Sequence, residues 1–394
     1  MAIRLSARFL YATMAGQPRA ENEIRDILAI PNWGFIGLNV PIFILGESGR
    51  DGGESAVTAG RACDFARSPW RYNRGAAHID RLRGTMGLYL GHTLVIANPV
   101  AQSGAGAEGA EFVRRTLSAY DSVTDGFDVR LTTGPGAATQ MARAATSYDT
   151  VLALGGDGVI HEVVNGLMKI GDAHRPRMGI IPLGSGNDFA RTLGMAPNSP
   201  ERSLGQVLQG VVHRLDLGIV NGTYFDQTLS FGVDAAIALD TMERRQRTGT
   251  HGTRLFMASG IDVVRHQLRS WRHHVSIDGV EQDGDSLIFA VQVGPTYGGG
   301  FRICPEADPE DGLLDLCFSH GSPSTATALS ILARARIGRH TSSRYLSFRR
   351  ASSIVIDFAG EPPCQADGER VRGSHFEIGC AHRALEVIRP TWQL

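Results

Sequence analysis

Three short stretches of this 394-residue chain set an aspartate where a strand pattern gives out. In the first, Gly155-Gly156-Asp157-Gly158 follows an apolar run at 151–154 that reads as a buried strand. Val159, Val163, Val164 and Leu167 then return at helical spacing, so Asp157 stands at a strand-to-helix junction. Backbone N–H groups at a helix start lack intrahelical partners and favour anions. A carboxylate beside a phosphate would repel it unless a divalent cation lay between them. The stretch therefore predicts a phosphate–Mg²⁺ site, most simply a nucleotide site. The usual phosphate loop is absent, because the chain has a single lysine, Lys169, and no G-x-x-x-x-G-K-[ST] run. Arginines, backbone amides and metal must do that work.

The second stretch is Pro182-Leu183-Gly184-Ser185-Gly186-Asn187-Asp188, and the third is Arg214-Leu215-Asp216-Leu217-Gly218. The carboxyl ends of parallel strands line one crevice, so Asp157 and Asp188 are expected to converge there. Asp188 can equally be a helix cap. Asn98-Pro99 followed by Ser103-Gly104 is a further glycine turn after a strand, alone a weak signal. Glu162 and Asn165 fit a solvated helix face. Near the end, Asp367-Gly368-Glu369 reads on its own as a hairpin turn. The same holds for Asp311-Gly312, although Asp308, Asp311 and nearby carbonyls could hold a hard cation.

These junctions need a scaffold, and the pattern supplies one. Strands at 92–99, 127–132, 150–154 and 178–182 alternate with helices at 107–120, 136–146 and 161–170, and another helix starts at 187. That alternation predicts an α/β layer with a mainly parallel sheet over 89–215. From 216 to 394 short β-rich runs dominate, interrupted by helical stretches near 254–268 and 324–337, which predicts an antiparallel β domain. Its last strand is allowed to return to the first domain. Residues 1–88 show no sustained periodicity and read as a poorly ordered or non-native extension, with Met86 as the candidate start.

A formal net charge of −1 gives no polyanion signal, so nucleic-acid binding is not expected. Five dispersed cysteines read as reduced thiols of a cytoplasmic protein. The best apolar candidate, 35–45, is interrupted by Gly37, Asn39 and Pro41, and falls short of the roughly 20 residues a membrane span needs.

Together these motifs resemble the diacylglycerol kinase catalytic family, which includes bacterial soluble lipid kinases and sphingosine kinases. The matching residues are Asn98-Pro99, the run 155–167, 182–190, Arg214 to Gly218 with Asn221-Gly222, Phe231 to Ala235, the loop 305–316 and Asp367-Gly368-Glu369. The resemblance spans about 91–388. One departure is the longer segment between Asn98 and Ser103-Gly104.

The resemblance implies a Rossmann-like α/β nucleotide-binding domain followed by an antiparallel β-sandwich, with ATP as co-substrate and Mg²⁺. Asn98, Gly155, Gly156, Gly158, Glu162, Gly184, Ser185 and Glu369 would line the nucleotide. Asp157, Asp188 and Asp216 would surround the catalytic Mg²⁺ through waters. Asp308, Asp311 and Leu313 would form a structural Mg²⁺ site. Asp367 would be the general base, a role that falls to the residue matching Asp157 in the sphingosine branch. Asp234 and Arg254 would approach the lipid substrate. The expected reaction is phosphoryl transfer to the primary hydroxyl of diacylglycerol. The alternatives are a sphingoid-base or other lipid kinase, a kinase resembling NAD kinases, and a lipid-binding pseudokinase. The expected partner is a lipid at the inner membrane surface, visited transiently from the cytoplasm, with a second copy of the chain as an open alternative.

Overall fold

A computed structural model describes residues 87–391 except 250–252 and 322. The assignment for 1–88 therefore lies outside the described residues, save that Leu88 N–H donates to Leu208 O.

The first half runs β1 (His92–Ala97), α1 (Ala105–Ala119), β2 (Gly126–Leu131), α2 (Ala137–Arg143), β3 (Thr150–Gly155), α3 (Asp157–Leu167), β4 (Arg177–Pro182), α4 (Asp188–Leu193) and α5 (Pro200–Leu208). The strands pair parallel in the order β2-β1-β3-β4. All six residues of β3 are buried, as are five of six in β1 and β4. Parallel strands covered on both faces need such unbroken apolar runs.

The second half comprises β5 (Val211–Val220), β6 (Thr223–Phe225), β7 (Thr228–Gly232), α6 (Val233–Thr248), α7 (Thr253–His266), β8 (Trp271–Ile277), β9 (Val280–Ser286), β10 (Ile288–Gln292), β11 (Leu314–Ser319), α8 (Thr325–Ala335), β12 (Leu346–Ala351), β13 (Ser353–Phe358), β14 (Cys364–Ala366), β15 (Glu369–Arg370) and β16 (His375–Arg389). One sheet has the order β12-β11-β10-β7-β14-β15. The other, β16-β13-β8-β9, continues the parallel sheet, because β16 also pairs with β4 at Val387 and Met178. β16 is one long strand of 15 residues, and its pairing with β5 shifts register between Ala381 and Leu385. Phe231 from one sheet packs on Phe358 and Phe376 from the other, with ring centroids 5.1 and 4.8 Å away. These contacts close the sandwich between its two sheets.

Helix α6 is absent from the sequence reading. Its first turns are buried at Val233, Ala235, Ile237 and Leu239, whereas Glu243, Arg244, Arg245 and Arg247 fill its later turns. No single apolar stripe runs its length, so the helical period is faint. Helix α5 was missed too, being short, although it starts with Pro200 in its first turn.

Candidate active site

The junction after β3 and the junction after β4 press together. A Cβ added to Gly184 would lie 2.7 Å from the Gly156 Cα, so only glycines let the two turns meet. Asn187 adopts a left-handed backbone (φ 53°) that aims its N–H at Asp157. Asp157 accepts 2.7 Å from Asn187 N–H and 2.9 Å from Asp188 N–H. The extra residues after Asn98 have a use of their own. Gln102, itself at φ 49°, donates 2.9 Å to Gly184 O and 2.8 Å to Asn198 Oδ1, tying the first turn to the third.

The β half closes the other side. Asp188 accepts from Gly299 N–H at 2.7 Å and Gly300 N–H at 2.8 Å, and its side chain also meets Arg191 at 3.3 Å. Gly298, Gly299 and Gly300 all have φ between 63° and 97°, which lets consecutive N–H groups face one carboxylate. Asp367, between β14 and β15, accepts from the N–H groups of Asp226 (2.7 Å), Gln227 (3.0 Å) and Thr228 (2.9 Å). His161 Nδ1 lies 3.0 Å from the same carboxylate.

These elements enclose a cleft of about 790 Å³. Asn98, Gly156, Asp157, Gly158, Gly184, Ser185 and Asp188 line it from the α/β half, and Asp226, Asp367 and Glu369 line it from the β half. Arg245 lines it from α6, beside an apolar wall of Ala238, Met242, Leu255 and Phe256. The structure thus brings Asn98, Gly156, Gly158, Gly184, Ser185, Asp157, Asp188, Asp367 and Glu369 to one cleft.

The other residues assigned to a site from the sequence stand outside the cleft. Gly155 is buried at the end of β3 and does not line the cleft. Glu162 faces away from it and accepts from Gly136 N–H (2.8 Å) and Ala138 N–H (3.0 Å), capping α2. Asp216 is 1 % exposed and stands apart from Asp157 and Asp188. It accepts from Gly312 N–H (2.6 Å), Arg383 N–H (2.6 Å) and His382 Nδ1 (2.8 Å), so it fastens the 305–313 loop to the β16 bulge. Within that loop Asp308 and Asp311 bond to N–H groups of Glu310 and Leu313, and Arg350 meets Asp311 at 3.2 Å. These N–H bonds occupy one oxygen each of Asp308 and Asp311, and the loop stands outside the cleft. Asp234 and Arg254 also miss the cleft. Asp234 is buried, with its carboxyl pushed up to about 7 by desolvation, and Arg254 is exposed at the start of α7.

The acidic end is crowded. Burial, then the neighbouring charges of Asp188 and Asp367, pushes Asp157 up to about 6 despite its two N–H donors. Desolvation, then the charges of Asp367, Asp157 and Asp188, raises Asp226 far above the usual carboxylate range. Burial opposes protonation of His161, but the bond to Asp367 and the charges of Asp367, Glu369 and Glu162 outweigh it, so the imidazole is raised. Asp226, His161, Arg245 and the Gly298–Gly300 turn were all missed. The turn carried the one legible signal, its glycine triplet, whereas the others depend on long-range packing.

Two consequences can be measured. A Cβ on Gly186 would lie 2.5 Å from Asp157 Oδ2 and 3.3 Å from Asp188 Oδ2. Gly186→Ala should cost about 1–3 kcal/mol in urea unfolding, the usual range for overpacking. An unchanged midpoint would contradict the placement of these carboxylates. The second concerns pH. Asp157 titrates near 6 when folded, against an ordinary carboxylate value of 3.8 when unfolded. Between those values the folded state binds the extra proton, so this group's contribution to stability rises as pH falls through 6 towards 4. Denaturation midpoints of the parent and Asp157→Asn across pH 4–7 should diverge accordingly; parallel curves would refute the shift.

A glycine-walled acidic cleft between a Rossmann-like layer and a β-sandwich defines a phosphoryl-transfer fold. The diacylglycerol kinase catalytic domain matches residues 92–220, and the YegS C-terminal NAD kinase beta sandwich-like domain matches 227–389. The chain is 33 % identical over 257 residues to a diacylglycerol kinase of Mycobacterium tuberculosis, covering 63 % of this chain and 79 % of that protein. It is 29 % identical over 291 residues to a probable lipid kinase YegS-like of Serratia proteamaculans, covering 73 % and 92 %. A crystal structure of a putative diacylglycerol kinase from Bacillus anthracis shares the fold, with a TM-score of 0.65 at 21 % identity over 78 % of this chain and 97 % of that one. The chain belongs to the diacylglycerol kinase catalytic-domain family of lipid kinases, whose phosphoryl donor is ATP. Among the described residues no helix is long and apolar enough to cross a membrane.

Proposed function

We propose that this protein transfers the γ-phosphoryl group of ATP to the primary hydroxyl of diacylglycerol, giving phosphatidic acid and ADP. The observation that carries this reading is the two-sided cleft. Its acidic, glycine-walled end suits phosphates and a cation, and its other wall is apolar at Ala238, Met242, Leu255 and Phe256. A soluble acceptor such as a dinucleotide has no need of that wall, whereas acyl chains do.

Phosphoryl transfer demands positioning and charge neutralisation more than covalent chemistry. Gly156 and Gly184 let phosphates approach the backbone closely, and Arg245 adds a cation at the rim. Asp157 and Asp188 would hold Mg²⁺; burial raises both carboxyls, with the charge of Asp188 adding to the rise at Asp157, and a cation would favour their ionised forms. Bound there, Mg²⁺ supplies positive charge against the phosphate oxygens. Asp367 accepts the proton of the lipid hydroxyl as the new O–P bond forms and the bond to the ADP oxygen breaks.

One observation favours a second choice of base. Asp367 already accepts three N–H groups and faces His161, whereas Asp157 accepts two N–H groups and has a raised pKa. ADP release in mixed micelles with diacylglycerol, sphingosine or NAD tests the acceptor. Diacylglycerol should give the highest kcat/KM; a higher value with either of the others would overturn the assignment.

A further inference from the structure

His161, Asp226 and Asp367 meet beneath the acidic end of the cleft. One ligand atom from each lies within 4.8 Å of the others. Asp226 and Asp367 also line the cleft, so the cluster is open to solutes from that side. Asp226 is 3 % exposed, and its Oδ2 is buried without a hydrogen-bond partner. A buried acceptor left unmatched is costly, and native structures avoid it unless an ion, water or ligand completes the site. We propose that His161 Nδ1, the Asp226 carboxylate and Asp367 Oδ2 bind one divalent cation of the zinc class.

The geometry suits such an ion. His161 Nδ1 and Asp367 Oδ2 stand 3.0 Å apart. Two atoms at that separation, each about 2.1 Å from a shared ion, subtend about 90° at it. The third ligand comes from Asp226, whose own N–H already donates to Asp367 and locks the two residues together. Asn165 Nδ2 lies 2.9 Å from Tyr224 O, 3.1 Å from His161 O and 3.3 Å from His161 Nε2. The two carbonyls are the shorter contacts and match the two amide hydrogens, so Nε2 can carry the ring proton and leave the Nδ1 lone pair to the ion. The donor set selects the metal class. An imidazole with carboxylates suits zinc and its first-row neighbours, whereas Mg²⁺ prefers oxygen alone. The ion would sit on the Asp367 side of the cleft, distinct from the Asp157–Asp188 pair.

Such an ion has a consequence for catalysis that rests on the lipid-kinase reading with Asp367 as base. It would hold the Oδ2 lone pair that otherwise receives the hydroxyl proton, so Zn²⁺ would inhibit transfer while Mg²⁺ supports it.

The test uses the full chain, stripped of metal and titrated with Zn²⁺ against a chromophoric zinc indicator. The parent should take up one equivalent that Asp226→Asn and His161→Gln bind at least 10-fold more weakly. His274→Gln, which alters an exposed histidine on β8, should leave that equivalent in place. Undiminished binding by both cluster variants, or no binding by the folded parent, overturns the site. If either variant fails to fold by circular dichroism, Co²⁺ added to the parent replaces it as the readout. Visible bands of a bound imidazole–carboxylate ion support the site, and the spectrum of free aqueous Co²⁺ refutes it. Activity is read separately, relative to each protein's own rate without zinc. Binding without inhibition would sink the role of Asp367 as base and leave the metal site standing.

Discussion

Asp367→Asn is expected to lower kcat by about 10²–10⁴-fold, the usual contribution of a general base, while nucleotide affinity stays near that of the parent. The side chain sits on the β turn facing the two glycine turns, so it is placed to meet the acceptor hydroxyl rather than the donor. Backbone N–H groups of Asp226, Gln227 and Thr228 fix its orientation before substrate arrives. The same contacts make the amide an imperfect mimic, because its NH₂ would face at least one of those donors. A melting curve must therefore accompany the kinetics, and a drop in Tm is expected alongside the fall in kcat. Normal turnover by a folded Asp367→Asn protein would remove it from the chemistry.

Asp157→Asn should behave differently. Its carboxylate lies between the two glycine turns and beside Asp188, where metal and phosphates would meet. Removing that charge should weaken Mg²⁺–ATP binding and reduce kcat/KM together, by about 10²–10³-fold, as for loss of one preorganised electrostatic contact. Stability is pulled both ways. The amide disrupts one of the N–H bonds from Asn187 or Asp188, yet it relieves repulsion from Asp188 and Asp367. The two variants together decide the base. If Asp157→Asn loses only kcat while Asp367→Asn turns over normally, Asp157 is the base and the roles argued above are exchanged.

Local signals made the scaffold legible. Unbroken apolar runs marked β1, β3 and β4, and glycines before Asp157 and Asp188 marked two of the three α/β turns that frame the cleft. The switch to short β runs near Asp216 marked the second half. Carboxylate roles were less legible, because a carboxylate's role depends on which N–H groups reach it, and those come from far away in sequence. Glu162 bonds to a helix start 26 residues before it, and Asp216 to Gly312, 96 residues after it. Neither distance leaves a trace in spacing. Asp226 and His161 stayed hidden for the same reason, since each looks ordinary until the fold sets Asp367 between them. Helix α6 was missed although Arg245 and part of the apolar wall stand on it, because its charged later turns blur the pattern.

In the proposed reaction one cleft brings a nucleotide's γ-phosphate to a lipid hydroxyl. Its most direct test follows γ-³²P-labelled ATP with dioleoylglycerol micelles and Mg²⁺, separating lipid from water-soluble products. Label is expected in phosphatidic acid, formed by the parent and nearly lost in both Asp157→Asn and Asp367→Asn. Label released only as inorganic phosphate, or phosphatidic acid formed equally by all three proteins, would contradict it.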